Sequence, residues 1–134
     1  IEYKYLKAII EGGLETKQLV EAIKSYISEN IYYDLSRETI AEQLKYHPDH
    51  LSRVFKKATG ETLINYIQNE KIKTAIYLFK ETNLSVSQVA DRLGYTNFSY
   101  FSQLFKQKTG YTVREYKRKY LNKTDGDNAA DLLR

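Results

Sequence analysis

Apolar residues recur along most of this chain at spacings of three and four, the period of an α-helix rather than the alternation of a strand. In "ETKQLVEAIKSYISENIYY" the positions Leu19, Val20, Ile23, Ile27 and Ile31 share one face, which predicts an amphipathic packing helix. Upstream, "EYKYLKAIIEGG" reads as a short helix stopped by Gly12 and Gly13, within a leader assigned to residues 1–16. The next segment puts Ile40, Ala41 and Leu44 on one face, with Ser36 as N-cap and Glu38 in the first turn, and ends near Lys45 and Tyr46. Pro48 suits a first helical position, where its missing N–H costs nothing, so His47 is the cap of the following helix. On a wheel of "PDHLSRVFKKA", Leu51, Val54, Phe55 and Ala58 point one way and Asp49, Ser52, Arg53 and Lys56 the other. Gly60 stops that helix and Thr62 caps the long, uninterrupted "LINYIQNEKIKTAIYLFKET".

The pattern then returns. "LSRVFKKATGETLINY" (Leu51 to Tyr66) and "FSQLFKQKTGYTVREY" (Phe101 to Tyr116) are identical at seven of sixteen positions: Ser52/Ser102, Phe55/Phe105, Lys56/Lys106, Thr59/Thr109, Gly60/Gly110, Thr62/Thr112 and Tyr66/Tyr116. Upstream of these the likeness continues at an offset of 49, so the second turn holds one more residue. In this copy Ser85 with Gln88 forms a capping box, Gly94 supplies the turn and Asn97 caps the helix. Phe101, Leu104 and Phe105 face inward; Ser99, Ser102, Gln103 and Lys106 face outward. Thr112 and Glu115 make another capping box that opens the basic helix "VREYKRKYL". Residues 122–134 carry no strong pattern and are expected to be a disordered tail.

A short helix, a tight turn and a second helix with polar outward residues is a helix-turn-helix. The expected fold is therefore all-α, with two helix-turn-helix units joined by a long linker helix. The assigned boundaries are 17–61 for the first unit, 62–82 for the linker and 83–121 for the second. A linker of 17 residues, Leu63 to Phe79, spans about 26 Å as a helix. Together with the width of the units, that suits successive major-groove faces, which repeat every ~34 Å.

Charge sharpens this picture. The net charge is +4, but residues 1–50 hold 6 basic and 9 acidic groups, residues 51–96 hold 7 and 4, and residues 97–134 hold 8 and 4. Both copies of the repeat are basic, an electrostatic footprint suited to nucleic acid. Arg53 is the best candidate to read guanine and Gln103 to read adenine, because each side chain matches two base-edge atoms in the major groove. Ser52, Ser99 and Ser102 are further base-edge candidates. Asp49 either accepts from cytosine or holds Arg53 four residues on, with the ion pair favoured. Lys56, Lys57, Asn97, Lys106, Lys117 and Arg118 are assigned to phosphate, the residues from Lys117 to Lys119 being alternatively a solvated helix end.

Other chemistries find little support. Cysteine is absent, which removes disulfides and thiolate catalysis and fits a reducing compartment. No apolar run approaches the ~20 residues of a membrane span, no signal-peptide pattern opens the chain, and a cytoplasmic location is expected. His47 and His50 have ligand spacing but no third partner, so neither metal nor cofactor is expected. No phosphate loop, paired carboxylates or nucleophile with a histidine base points to an enzyme. Tyr46, Tyr66, Tyr95 and Tyr116 recur at matching positions, which favours core packing over base stacking. The rival to DNA binding is a helical protein-interaction module, which predicts apolar outward faces in both copies.

The segments "IAEQL", "LSRVFKKATGETLINYI", "KIKTAIYLFKETNLSVSQVADRLGY" and "FSYFSQLFKQKTGYTVREYKRKY" together resemble the AraC/XylS-type transcriptional regulators, over roughly Lys17 to Tyr120. The leader and linker spacing is most similar to the response-regulator members. The resemblance implies a seven-helix domain that binds double-stranded promoter DNA, usually activates transcription and contacts RNA polymerase. It departs from the family where Lys71 and Lys117 replace frequent arginines, Val113 a proline, His47 a serine and Lys45 a glycine. A lysine at positive φ costs about 1 kcal/mol or more relative to glycine. Because the chain starts at Ile1, it is read as a fragment lacking its regulatory domain, and as a monomer whose full-length form is a dimer.

Overall fold

The computed structural model describes residues 15–123; the predicted leader helix and the predicted tail beyond residue 123 lie outside them. The described residues form seven helices: α1 (Thr16–Glu29), α2 (Arg37–Leu44), α3 (Pro48–Thr59), α4 (Leu63–Glu81), α5 (Val86–Arg92), α6 (Phe98–Thr109) and α7 (Val113–Tyr120). They fall into two compact units, and the division lies inside α4, between Glu70 and Lys71. Each half of the linker helix therefore belongs to a different core.

In the first unit, Leu19, Val20, Ala22, Ile23 and Ile27 of α1 close on Ile40, Ala41 and Leu44 of α2, Leu51 and Phe55 of α3, and Leu63 and Ile67 of α4. Ile31, Tyr46, Val54 and Tyr66 pack against this core from its margin, while Ala58, placed inward by the helical wheel, is exposed. The second core repeats the plan with Ile72, Ala75, Leu78 and Phe79 of α4, Val89 and Ala90 of α5, Leu93 of the turn, Phe101, Leu104 and Phe105 of α6 and Val113 of α7. Tyr95 and Tyr116 lie at its edge. All four repeated tyrosines thus serve packing: Tyr66 meets Phe55 edge-on at 5.3 Å, and Tyr116 meets Phe105 at 5.6 Å. Truncating a buried phenylalanine of this kind costs about 3–5 kcal/mol.

The local geometry explains most of the sequence repeat. Thr59 donates to the Phe55 carbonyl and accepts from the Glu61 N–H; Thr109 does the same with Phe105 and Tyr111. Gly60 and Gly110 follow at φ 85°, a left-handed conformation that ends each helix. Thr62 and Thr112 then cap α4 and α7 by accepting from the Asn65 and Glu115 amides. Five of the seven identities are accounted for by packing and caps. The two left, Ser52/Ser102 and Lys56/Lys106, stand on the outward sides of α3 and α6.

Candidate nucleic-acid interface

The helix-turn-helix frame of each unit is set by its turn. In the first, α2 begins at Ser36, whose hydroxyl accepts from the Thr39 amide, and ends at Lys45 with φ 65°. A lysine held there costs roughly 1–2 kcal/mol relative to right-handed backbone. Two residues on, Nδ1 of His47 accepts from the Asp49 amide and Pro48 occupies the first position of α3. In the second, the Ser85–Gln88 capping box opens α5, Gly94 takes the left-handed position at φ 85°, and Asn97 Oδ1 accepts from the Tyr100 amide at 2.9 Å. Asn97, expected to meet phosphate, commits its side-chain oxygen to this cap, and the residue is exposed.

On α3, Arg53, Lys56 and Lys57 are exposed and Ser52 is half-buried. Asp49 is exposed too, and the guanidinium bonded to it is that of Arg37 rather than the Arg53 that helical spacing favoured, which acts on it only as a weaker, unbonded charge. Arg37, at the first position of α2, donates to its carboxylate at 2.8 Å and also reaches Glu38 at 3.0 Å. The closer approach comes from the neighbouring helix, which brings a guanidinium onto the start of α3 more directly than an (i, i+4) reach does. This bond holds the Asp49 carboxyl below its ordinary value and pushes the Arg37 guanidinium up. Arg37, Asp49, Ser52, Arg53, Lys56 and Thr62 line an open cleft of about 650 Å³ beside α3, with Leu63 and Ile64. Three cations and one carboxylate surround it. The Arg37 contribution went unread in the sequence, since nothing local links it to a residue twelve positions on.

On α6, Ser99, Gln103 and Lys106 are exposed and Ser102 is half-buried, which brings the predicted base-reading side chains of the second copy onto one side. Phe98 and Tyr100, both exposed, flank them, a placement that the helical spacing alone does not signal.

The basic run on α7 separates into different environments. Arg118 is exposed. Lys117 is 4% exposed, with its Nζ 4.9 Å from the centre of the Phe79 ring. Its assignment to phosphate, and the reading of the whole run as a solvated helix end, are corrected by that burial. A cation over an aromatic face inside the second unit cannot present its charge to a DNA backbone. The repeat register carried the signal: Lys117 is the counterpart of Ile67, buried in the first core. Lys71, also 4% exposed, donates from Nζ to the Leu93 carbonyl and lies 5.5 Å from the Tyr95 ring. That bond ties α4 to the turn of the second helix-turn-helix. Burial pushes the Tyr95 hydroxyl up to about 12.

The two histidines have local duties, His47 as a cap and His50 stacked on Tyr46 at 5.7 Å. No helix among the described residues is long and apolar enough to cross a membrane.

Comparison with known proteins places this arrangement. A helix-turn-helix domain family matches residues 40–119. The bifunctional transcriptional activator/DNA repair enzyme AdaA of Bacillus subtilis (strain 168) is 35% identical over 99 residues, which are 74% of this chain and 47% of AdaA. Among solved structures, the C-terminal domain of AraT, a response regulator from Geobacillus stearothermophilus, is 31% identical with a TM-score of 0.74. The match covers 77% of this chain and 86% of that domain. The DNA-binding domain of AdpA, a global transcriptional factor solved with a target DNA, is 20% identical with a TM-score of 0.70. That match covers 75% of this chain and 91% of the AdpA domain, and shows the shared fold. The chain spans less than half the length of the curated relatives it matches first.

Proposed function

The chain belongs to the AraC-type helix-turn-helix family of transcriptional regulators, and on that premise we propose that its two units bind specific double-stranded DNA, with α3 and α6 each entering a major groove. The observation that carries this reading is the split in the repeat. Where the two copies agree for structural reasons they form caps and core, and where they face outward they carry serine, arginine, glutamine and lysine, with Asp49 at the start of α3 and Phe98 and Tyr100 at the start of α6.

Arg53 reads guanine through its forked guanidinium, and Gln103 reads adenine through its amide. Ser52, Ser99 and Ser102 add base-edge contacts of low discrimination. Lys56, Lys57, Lys106 and Arg118, all exposed, meet phosphate and set affinity rather than sequence. Arg37 joins this set at the cleft beside α3 and keeps the Asp49 carboxylate from standing alone against the DNA charge. AdpA, of the same fold, is known with its target DNA bound. The regulator is proposed to act in the cytoplasm as an activator, with RNA polymerase as the family's protein partner. A protein-interaction module would need apolar outward faces on both recognition helices, and the exposed positions of α3 do not supply one.

The test is selection from a random duplex library, followed by titration of the selected duplex and a scrambled one at several salt concentrations. Enrichment of two conserved blocks, with affinity falling steeply as salt rises, supports the proposal. Equal affinity for selected and scrambled duplexes overturns it.

A further inference from the structure

Five phenylalanines occur in the chain, and four of them, Phe55, Phe79, Phe101 and Phe105, are buried to 1% exposure or less. The fifth, Phe98, is 48% exposed. It occupies the first position of α6, directly after the capping Asn97 and directly before Ser99, both exposed and polar. It stands at the border between the buried stripe of Phe101 and Phe105 and the outward side chains, about half exposed, and the next aromatic residue, Tyr100, turns toward Tyr95 at 5.9 Å. Recognition helices touch base edges mainly with their N-terminal residues. One helical turn on from Phe98 lies Ser102, among the outward residues of the same helix.

We propose that Phe98 is a specificity-determining residue that reads the C5-methyl group of thymine. The inference rests on the DNA-binding reading above and refines it for the second unit. A phenyl ring has neither donor nor acceptor and is blind to the hydrogen-bonding pattern of the bases. The thymine methyl is the apolar feature of the major groove, and phenylalanine is among the side chains that contact it. With Gln103 on the same helix directed to adenine, α6 reads a block of A·T pairs. The first unit has no equivalent, because the repeat places Pro48 at this position, where it serves as the first residue of a helix. The two heads therefore differ in kind: guanine through Arg53 on α3, methyl and amide contacts through Phe98 and Gln103 on α6.

The experiment uses the whole chain and the selected duplex. Each thymine is replaced in turn by deoxyuridine, which removes only the methyl group, and every duplex is titrated with wild type and with Phe98→Ala. At one or two thymines of the block that depends on Gln103, wild type should lose about fourfold in affinity, the scale of one buried methyl group. Phe98→Ala should bind the thymine duplex about fourfold more weakly and be indifferent to the replacement. A uniform response of wild type at every thymine, or a penalty that persists in Phe98→Ala, overturns the assignment while leaving specific DNA binding intact. Loss of all preference for the selected duplex is a different result, and removes the DNA-binding reading together with this one.

Discussion

The two helix-turn-helix units share a frame and differ in how it is held. In the first, the turn is closed by a lysine at positive φ and the start of the recognition helix is tied down by an exposed pair, Arg37–Asp49. In the second, glycine takes the left-handed position and two lysines are buried, Lys71 on the carbonyl of Leu93 and Lys117 over Phe79. The first unit tolerates backbone strain and carries its ion pair at the surface; the second places cations inside. A repeated sequence thus fixes where helices begin and end, while the means of anchoring the turn is free to diverge. The outward faces have diverged as well, arginine against glutamine and a proline against an exposed ring.

Substitutions can break this contrast. The largest effect is expected for Lys71→Met, which keeps much of the buried volume but leaves the Leu93 carbonyl without that donor, at a cost of about 1–3 kcal/mol. Amide exchange should accelerate in α5 and α6 and leave α2 and α3 nearly unchanged. Equal acceleration in both units would mean that Lys71 does not act locally.

Next come the turns. Lys45→Gly should stabilise the first unit and Gly94→Lys destabilise the second, each by about 1 kcal/mol, as read by denaturant titration. Shifts of the same sign would contradict the assigned strain.

A smaller and sharper difference separates two neighbours on α7. Arg118→Gln should lower the slope of log affinity against log salt by about 1, since one phosphate contact is lost. For Lys117→Gln, a change in stability is expected with the slope unchanged.

The smallest effect concerns Asp49. Its lowered value means that the Arg37 bond contributes above the ordinary carboxylate value of 3.8 and is lost as pH falls through the folded value. Arg37→Ala should let the carboxyl rise toward 3.8 in an NMR titration, with little change in stability at neutral pH because the pair is exposed. An unmoved Asp49 would remove the pair as the cause.

What was legible in the sequence was local. Caps such as Ser36, Ser85, Asn97 and Thr112 act within three residues of themselves, and the apolar stripes follow helical spacing, so each of the seven described helices could be anticipated. The Arg37–Asp49 bond could not, because it joins residues twelve positions apart on two different helices. Lys117 was misread from its residue type. A lysine in a basic run looks solvated, yet its long stem suits an apolar setting, and its alignment with Ile67 had already put it on the buried stripe of α7. Nothing in the local pattern marks Phe98; exposure, which only the fold reveals, distinguishes it from the other phenylalanines.

The most direct test of two reading heads on one chain repeats the library selection with Arg53→Ala and with Gln103→Ala. Each substitution is predicted to weaken specific binding by about 1–3 kcal/mol and to erase preference in a different block, a guanine in one and an adenine in the other. If both variants relax the same block, or neither changes the selected sequence, the two units do not read DNA independently and the account fails.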